Sequence, residues 1–176
     1  MNKSYLAPAL AVTVSLAISC QPSSNGRSEV SSAASTNTET VDAAADMAAV
    51  RRIVDSFGTK MKMVSLLAPS DMLRESVKTN YEAFVTPELL QQWVDQPTKA
   101  PGRTVSSPWP EKIVVERMES VQPGQYQVEG MVMYMTSQEM AHGGIADSSR
   151  VVLQLKADSA GNWRIASFAG DGEPGQ

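Results

Sequence analysis

Tyr81, Tyr134, Glu139, His142 and Asp147 are the side chains whose types could move a proton in an enclosed site. Acid–base work needs a partner within about 3 Å of the reacting proton, and no recognisable motif ties these five together. His142 is the single histidine of the chain; it sits beside Gly143-Gly144, and a loop imidazole is more often solvated than catalytic. A second chemistry is soft-metal binding. Met131, Met133 and Met135 alternate along one stretch, Met140 and His142 follow, and thioethers favour Cu(I). Alternate methionines on a strand are far more often filler between packed layers. No Gly-rich phosphate loop, zinc-ligand spacing or serine nucleophile elbow occurs.

A third group is suited to contact. Segment 97–110 holds four prolines and Gly102, with Trp109 between Pro108 and Pro110, and Lys99, Arg103 and Lys112 make the neighbourhood basic. A loop of this length in a compact domain is usually functional or disordered, and the fixed φ of its prolines argues against disorder. The alternative for Trp109 is a plug at one end of the core, an ordinary use of a buried indole. Arg103, Trp109, Tyr134 and His142 are therefore the candidate ligand or partner residues. No catalytic residue, metal ligand or cofactor is assigned.

The chain of 176 residues is long enough for one domain with a real core. Its net charge of −4 gives no electrostatic footprint for nucleic acid. With one cysteine, Cys20, no intramolecular disulfide can form. Lys3 precedes an apolar run over 5–18 that ends in small residues, which is the n-region and short h-region of an export signal. Ala17-Ile18-Ser19-Cys20 resembles the lipobox of bacterial lipoproteins, with Ala17 where Leu is usual. The resemblance implies a signal peptide over 1–19 and a Cys20 that carries diacylglycerol and palmitate-type acyl chains, the bilayer being its partner. An ordinary secretory signal with an incidental Cys20 is the alternative. Gln21 stands where lipoproteins kept at the inner membrane typically show Asp, so the outer membrane, facing the periplasm, is the implied address in a Gram-negative cell. Residues 20–41 are rich in Ser, Thr, Ala and Asn; such a segment buries too little to offset its chain entropy. It reads as a tether spanning about 25 Å.

These residues need elements to position them. Apolar residues at Met47, Val50, Ile53, Val54, Phe57, Met61 and Val64 predict a helix over 42–64. Leu73, Val77, Tyr81 and Phe84 predict a second over 70–84, capped by Ser70 or Asp71. Thr86-Pro87-Glu88 opens a third over 87–95 that buries Leu89, Leu90, Trp93 and Val94. Segments 113–120, 125–137, 150–157 and 163–168 read as strands. Gln122-Pro123-Gly124-Gln125 suits a type II turn and 158–162 a second hairpin link, whereas 138–149 is irregular. In the second strand Tyr126, Val128, Val132, Tyr134 and Thr136 share one face and Gln127, Glu129, Met131, Met133 and Met135 the other; Gly130 marks a bulge or bend. The expectation is one α+β domain over 42–170, three helices packed on a curved four-stranded antiparallel sheet, then a tail at 171–176.

That order resembles the cone-shaped NTF2-like (cystatin-like α+β) superfamily, with the first helix in the concavity of the sheet. The chain is also similar to an uncharacterised family of bacterial exported proteins through Val64-Ser65-Leu66-Leu67-Ala68-Pro69, Thr86-Pro87-Glu88-Leu89-Leu90 with Trp93, Ala100-Pro101-Gly102-Arg103 and Ser106-Ser107-Pro108-Trp109-Pro110. Gly143-Gly144 and Trp163 extend the similarity, which covers about residues 50–168. A fold-level likeness assigns no activity. The leading expectation is a non-catalytic envelope module that binds a protein or a small apolar ligand. The alternatives are an isomerase- or dehydratase-type enzyme acting in the cone, and copper binding through methionine.

Overall fold

The computed structural model describes the backbone over residues 34–170 and the side chains over 42–170. The export signal, Cys20, the first part of the expected tether and the tail at 171–176 lie outside the described residues.

The chain forms an α+β domain. Helix α1 (Ala34–Lys60) passes into a 3-10 turn (Met61–Met63), then α2 (Ser70–Tyr81) and α3 (Pro87–Asp95) precede the strands. Strands β1 (Trp109–Gln122), β2 (Gln125–Met135), β3 (Asp147–Ala157) and β4 (Trp163–Gly170) form one antiparallel sheet in the order β1-β2-β3-β4. A short helix, α4 (Ser137–His142), interrupts the β2–β3 link.

Helix α1 begins eight residues before the expected start at 42, inside the stretch read as tether, and sixteen before its buried stripe, which starts at Val50. Alanines at 43–45, 48 and 49 carry high helix propensity through the intervening turns. Val50, Val54, Phe57 and Met61 are buried, as is Val64 just beyond the 3-10 turn, while Met47 is 40% exposed. Helix α2 stops at Tyr81, short of the expected Phe84. Its N-cap is Pro69, with no side-chain cap bond, and Asp71 instead pairs with Arg74 at 3.0 Å. Helix α3 has the expected bounds, and Thr86 Oγ1 accepts the Leu89 N–H at 3.3 Å. Of its four expected core residues, Leu89 and Trp93 are buried, with Leu90 and Val94 packed half-buried against them.

The apolar faces meet around Phe57. Its ring centroid lies 4.9 Å from that of Tyr81, 6.0 Å from Phe168, 6.2 Å from Trp93 and 6.4 Å from Phe84. One α1 side chain thereby joins α2, the α2–α3 link, α3 and β4. On the sheet, Ile113, Tyr126, Val128, Val132, Val151, Leu153, Leu155, Trp163 and Ile165 complete this core. No polar or charged residue is fully buried among the described residues. At the far end of α1, Trp163 donates its indole N–H to Asp46 at 3.3 Å and meets Tyr126 edge-on.

Both hairpin turns form where the sequence places them. Gly124 has φ 72°, the conformation the third residue of a type II turn requires. In the β3–β4 link, Asp158 accepts backbone N–H groups from Ala160 and Asn162. Gly130 does not itself form a bulge. The extra residue is Glu116 of β1, across from it, since Val115 pairs with Gly130 and Arg117 with Glu129. A side chain at 130 would run into the Val114 carbonyl, so the missing Cβ is what lets β1 fold inward there. Further register shifts fall at Glu111 and Val121 on β1 and at Ala166 on β4, whereas β2 and β3 pair without interruption. Each bulge bends its strand and adds twist, so the outer strands bend while the central pair stays regular.

Replacing Gly130 by Ala is expected to destabilise the domain by about 1–3 kcal/mol through overpacking against β1. Val121→Ala, at an exposed residue on the same strand pair, should stay within about 0.5 kcal/mol. Urea unfolding followed by far-UV circular dichroism distinguishes the two.

Candidate functional site

Segment 97–110 is tied down from several sides. Pro97 and Ala100 are buried, and Tyr81 donates its hydroxyl to the Pro101 carbonyl. Burial pushes the Tyr81 pKa far above its ordinary value, so the hydroxyl remains a donor at any physiological pH. The Arg103 N–H then bonds the Val64 carbonyl at 2.8 Å, and the Leu66 N–H bonds the Arg103 carbonyl at 2.9 Å. Ser65 and Arg103 form a parallel bridge between this segment and the chain leaving α1. Gly102 permits that approach, because a Cβ there would lie 2.6 Å from the Val64 carbonyl oxygen. The Ser107-Pro108 peptide is cis, and the chain enters β1 at Trp109.

Two hollows border the segment. One, of about 230 Å³, lies between Met61, Leu66, residues 98–102 and Thr104 on one side and Val132, Tyr134, Ser149 and Phe168 of the sheet on the other. Its walls are mixed: the Met61, Leu66, Val132 and Phe168 side chains meet Thr98, Lys99 and Thr104 there, and the Tyr134 and Ser149 hydroxyls share a 3.2 Å hydrogen bond. The other, of about 250 Å³, is lined by Lys62, Met63, Arg103 and Trp109. Lys62 Nζ donates to Glu111 Oε1 at 2.7 Å, and Trp109 Nε1 donates to Glu111 Oε2 at 2.8 Å. Burial acts to raise the Glu111 pKa, but the bonds from Lys62 and Trp109 and the charges of Lys62 and Lys112 together hold it below the usual value. A larger hollow of about 490 Å³ lies at the β3–β4 hairpin. Its rim mixes Glu82, Glu88 and Asp158 with Lys156 and Arg164, so no single ligand charge is favoured there, and Arg164 is already bonded to the Glu82 carbonyl at 3.0 Å.

Of the four candidate binding residues, Arg103 and Trp109 share one hollow and Tyr134 lines the other. His142 joins neither; it ends α4 and is exposed. Trp109 is half-buried and lies outside the core cluster, so it does not plug the core. The acid–base candidates are dispersed. Tyr81 serves Pro101, Tyr134 serves Ser149, Glu139 closes a capping box with Thr136, and Asp147 accepts the Ser148 N–H. Met131, Met133 and Met135 lie half-buried on the sheet face turned away from the helices, paired with Val114, Lys112 and Trp109 of β1. They are therefore not filler between helix and sheet. No group of three His, Cys, Asp or Glu side chains gathers as a metal holder among the described residues.

Lys62, Met63, Glu111 and Ser149 were not singled out by sequence. Lys62 and Glu111 stand 49 positions apart and only the folded chain joins them. No protein-family model matches the chain, and none of the curated proteins matches it.

Glu111 yields a prediction in pH. A carboxyl held below its ordinary pKa contributes stability that is present above the unfolded-state value and lost as pH falls through the folded one. Glu111→Gln should therefore lose less stability than the parent between about pH 5 and pH 3. The difference should be small, because Lys62 is 36% exposed and water screens the pair. Parallel thermal melts across that range check it.

Proposed function

We propose that the protein is an exported lipoprotein, anchored through acylated Cys20, whose domain is an NTF2-like cone that binds a small apolar ligand and performs no chemistry on it. The observation that carries the reading is the hollow between the pinned segment and the covered face of the sheet, where Met61, Leu66, Val132 and Phe168 offer an apolar patch within a mixed lining. On its sheet side the Tyr134 and Ser149 hydroxyls satisfy each other; no carboxylate or imidazole joins their hydrogen bond to act as base. A concave site that joins apolar side chains to placed polar groups is the usual make-up of small-molecule sites. The open four-stranded sheet with α1 against it supports the cone. Membership of the family of bacterial exported proteins rests on the quoted segments, two of which, 64–69 and 100–103, meet in the bridge that pins the loop. Among the described residues no helix is long and apolar enough to cross a membrane. Attachment is assigned to acyl chains, each buried methylene contributing about 0.8 kcal/mol.

Two measurements test this. Titrating detergent-solubilised full chain with the uncharged fluorophore N-phenyl-1-naphthylamine should give saturable binding to one site, abolished by Thr104→Trp at the hollow's mouth. Non-saturable partitioning, or equal binding by the variant, would contradict the ligand site. Feeding cells an alkyne-tagged fatty acid should label the parent and leave Cys20→Ala unlabelled and soluble. A labelled variant, or an unlabelled parent, would contradict the anchor.

A further inference from the structure

We propose that the hollow of Lys62, Met63, Arg103 and Trp109 is an oxyanion site, taking a carboxylate or phosphate whose body rests on the Trp109 ring. The Arg103 side chain carries the inference. It makes no hydrogen bond or ion pair with any described residue, and its Nε is buried without an acceptor. Arg74, Arg117 and Arg164 each have an acceptor, and Arg51, which has none, lies exposed on α1 and is solvated. Arg103 is the half-buried case without one. A guanidinium partly stripped of water and unpaired costs free energy, which an arriving anion offsets.

Its main chain explains why Arg103 stays there. The bonds to Val64 and Leu66 fix the backbone whatever the side chain does, so the guanidinium is held in place by the loop and has no pairing role of its own. Only Nε is sealed; the two Nη groups keep contact with solvent. An end-on guanidinium fork matches two oxygens borne on one atom, the geometry that carboxylate and phosphate share. The nearest acid does not fill this role, because Glu111 gives one oxygen to Lys62 and the other to Trp109. It thereby orients the ammonium and the indole at the hollow. Two cations against one carboxylate leave the hollow positive on a chain whose net charge is −4. The ring of Trp109 and the thioether of Met63 supply an apolar wall for whatever bears the anion. The site is separate from the hollow over Tyr134 and Ser149 and does not depend on ligand binding there.

Calorimetric titration of the detergent-solubilised full chain with benzoate, and separately with inorganic phosphate, at low ionic strength tests the assignment. At least one should bind saturably, tighter than about 1 mM, and Arg103→Ala should weaken it by at least about tenfold. Arg103→Lys, which keeps the charge but loses the fork, should fall between. Far-UV circular dichroism and the melting temperature of both variants should match the parent, since the main-chain bonds are untouched; should Arg103→Ala fail to fold, Lys62→Ala replaces it with a smaller expected loss. Mixing phosphatidylglycerol or phosphatidylcholine into the micelles then separates sources. Displacement of the anion by phosphatidylglycerol alone identifies a lipid headgroup, and no displacement identifies a soluble anion; either supports the site. Displacement by both lipids, no binding of either anion, or parental affinity in a folded Arg103→Ala overturns it.

Discussion

Two main-chain hydrogen bonds, from Arg103 N–H to the Val64 carbonyl and from Leu66 N–H to the Arg103 carbonyl, hold a proline-rich segment against the end of α1. Prolines fix φ but supply no donor, so a loop with four of them needs its anchors elsewhere. The chain provides these through Gly102, which allows backbone to meet backbone, and through Tyr81, which reaches Pro101 from α2. Everything assigned to function hangs on that attachment. It roofs the hollow over Tyr134 and Ser149 and sets Arg103 beside Lys62 and Trp109.

The attachment stands on a core with a plain division of labour. Phe57 gathers the aromatic rings of α2, α3 and β4, and among the described residues the one polar group buried with them is the Tyr81 hydroxyl, which Pro101 satisfies. Polar chemistry is confined to the rim where the helices hand over to the sheet. At that rim the sheet's outer strand is interrupted by bulges at Glu111 and Glu116, and the first turns the carboxylate that organises Lys62 and Trp109 towards the 3-10 turn after α1. On the opposite edge, the segment after α2 bonds β4 through Phe84, Thr86 and Ile165, which covers an edge that would otherwise offer free donors and acceptors.

Much of this layout was legible because local rules and tertiary packing agree. Thr86-Pro87 marked the start of α3, Pro123-Gly124 the first hairpin, and the stripe from Val50 to Val64 the buried face of α1 and of the turn that follows it. Helix α4 was missed although its signal was present. Thr136-x-x-Glu139 is a capping box that ends the strand at Met135, and the apolar alternation running up to it masked the change. Gly130 was rightly marked as a backbone irregularity but assigned to the wrong strand, because a missing Cβ tells where room is needed and not which neighbour uses it. Arg103 and Trp109 could be named from a basic, rigid loop. Their partner Glu111 could not, since its meaning comes from a lysine 49 positions away. Ser149 was hidden for a related reason: the register that brings it to Tyr134 is set across a link whose length gives no pairing rule.

Native-state hydrogen exchange at the amides of Leu66 and Arg103 tests the attachment most directly. If the loop is held as described, both amides should exchange only through large-scale opening, with protection close to that of Val128 and Leu153 in the central strands. Exchange at the rate of an open loop, with those strands still protected, would show that the segment is not pinned and would remove both hollows with it.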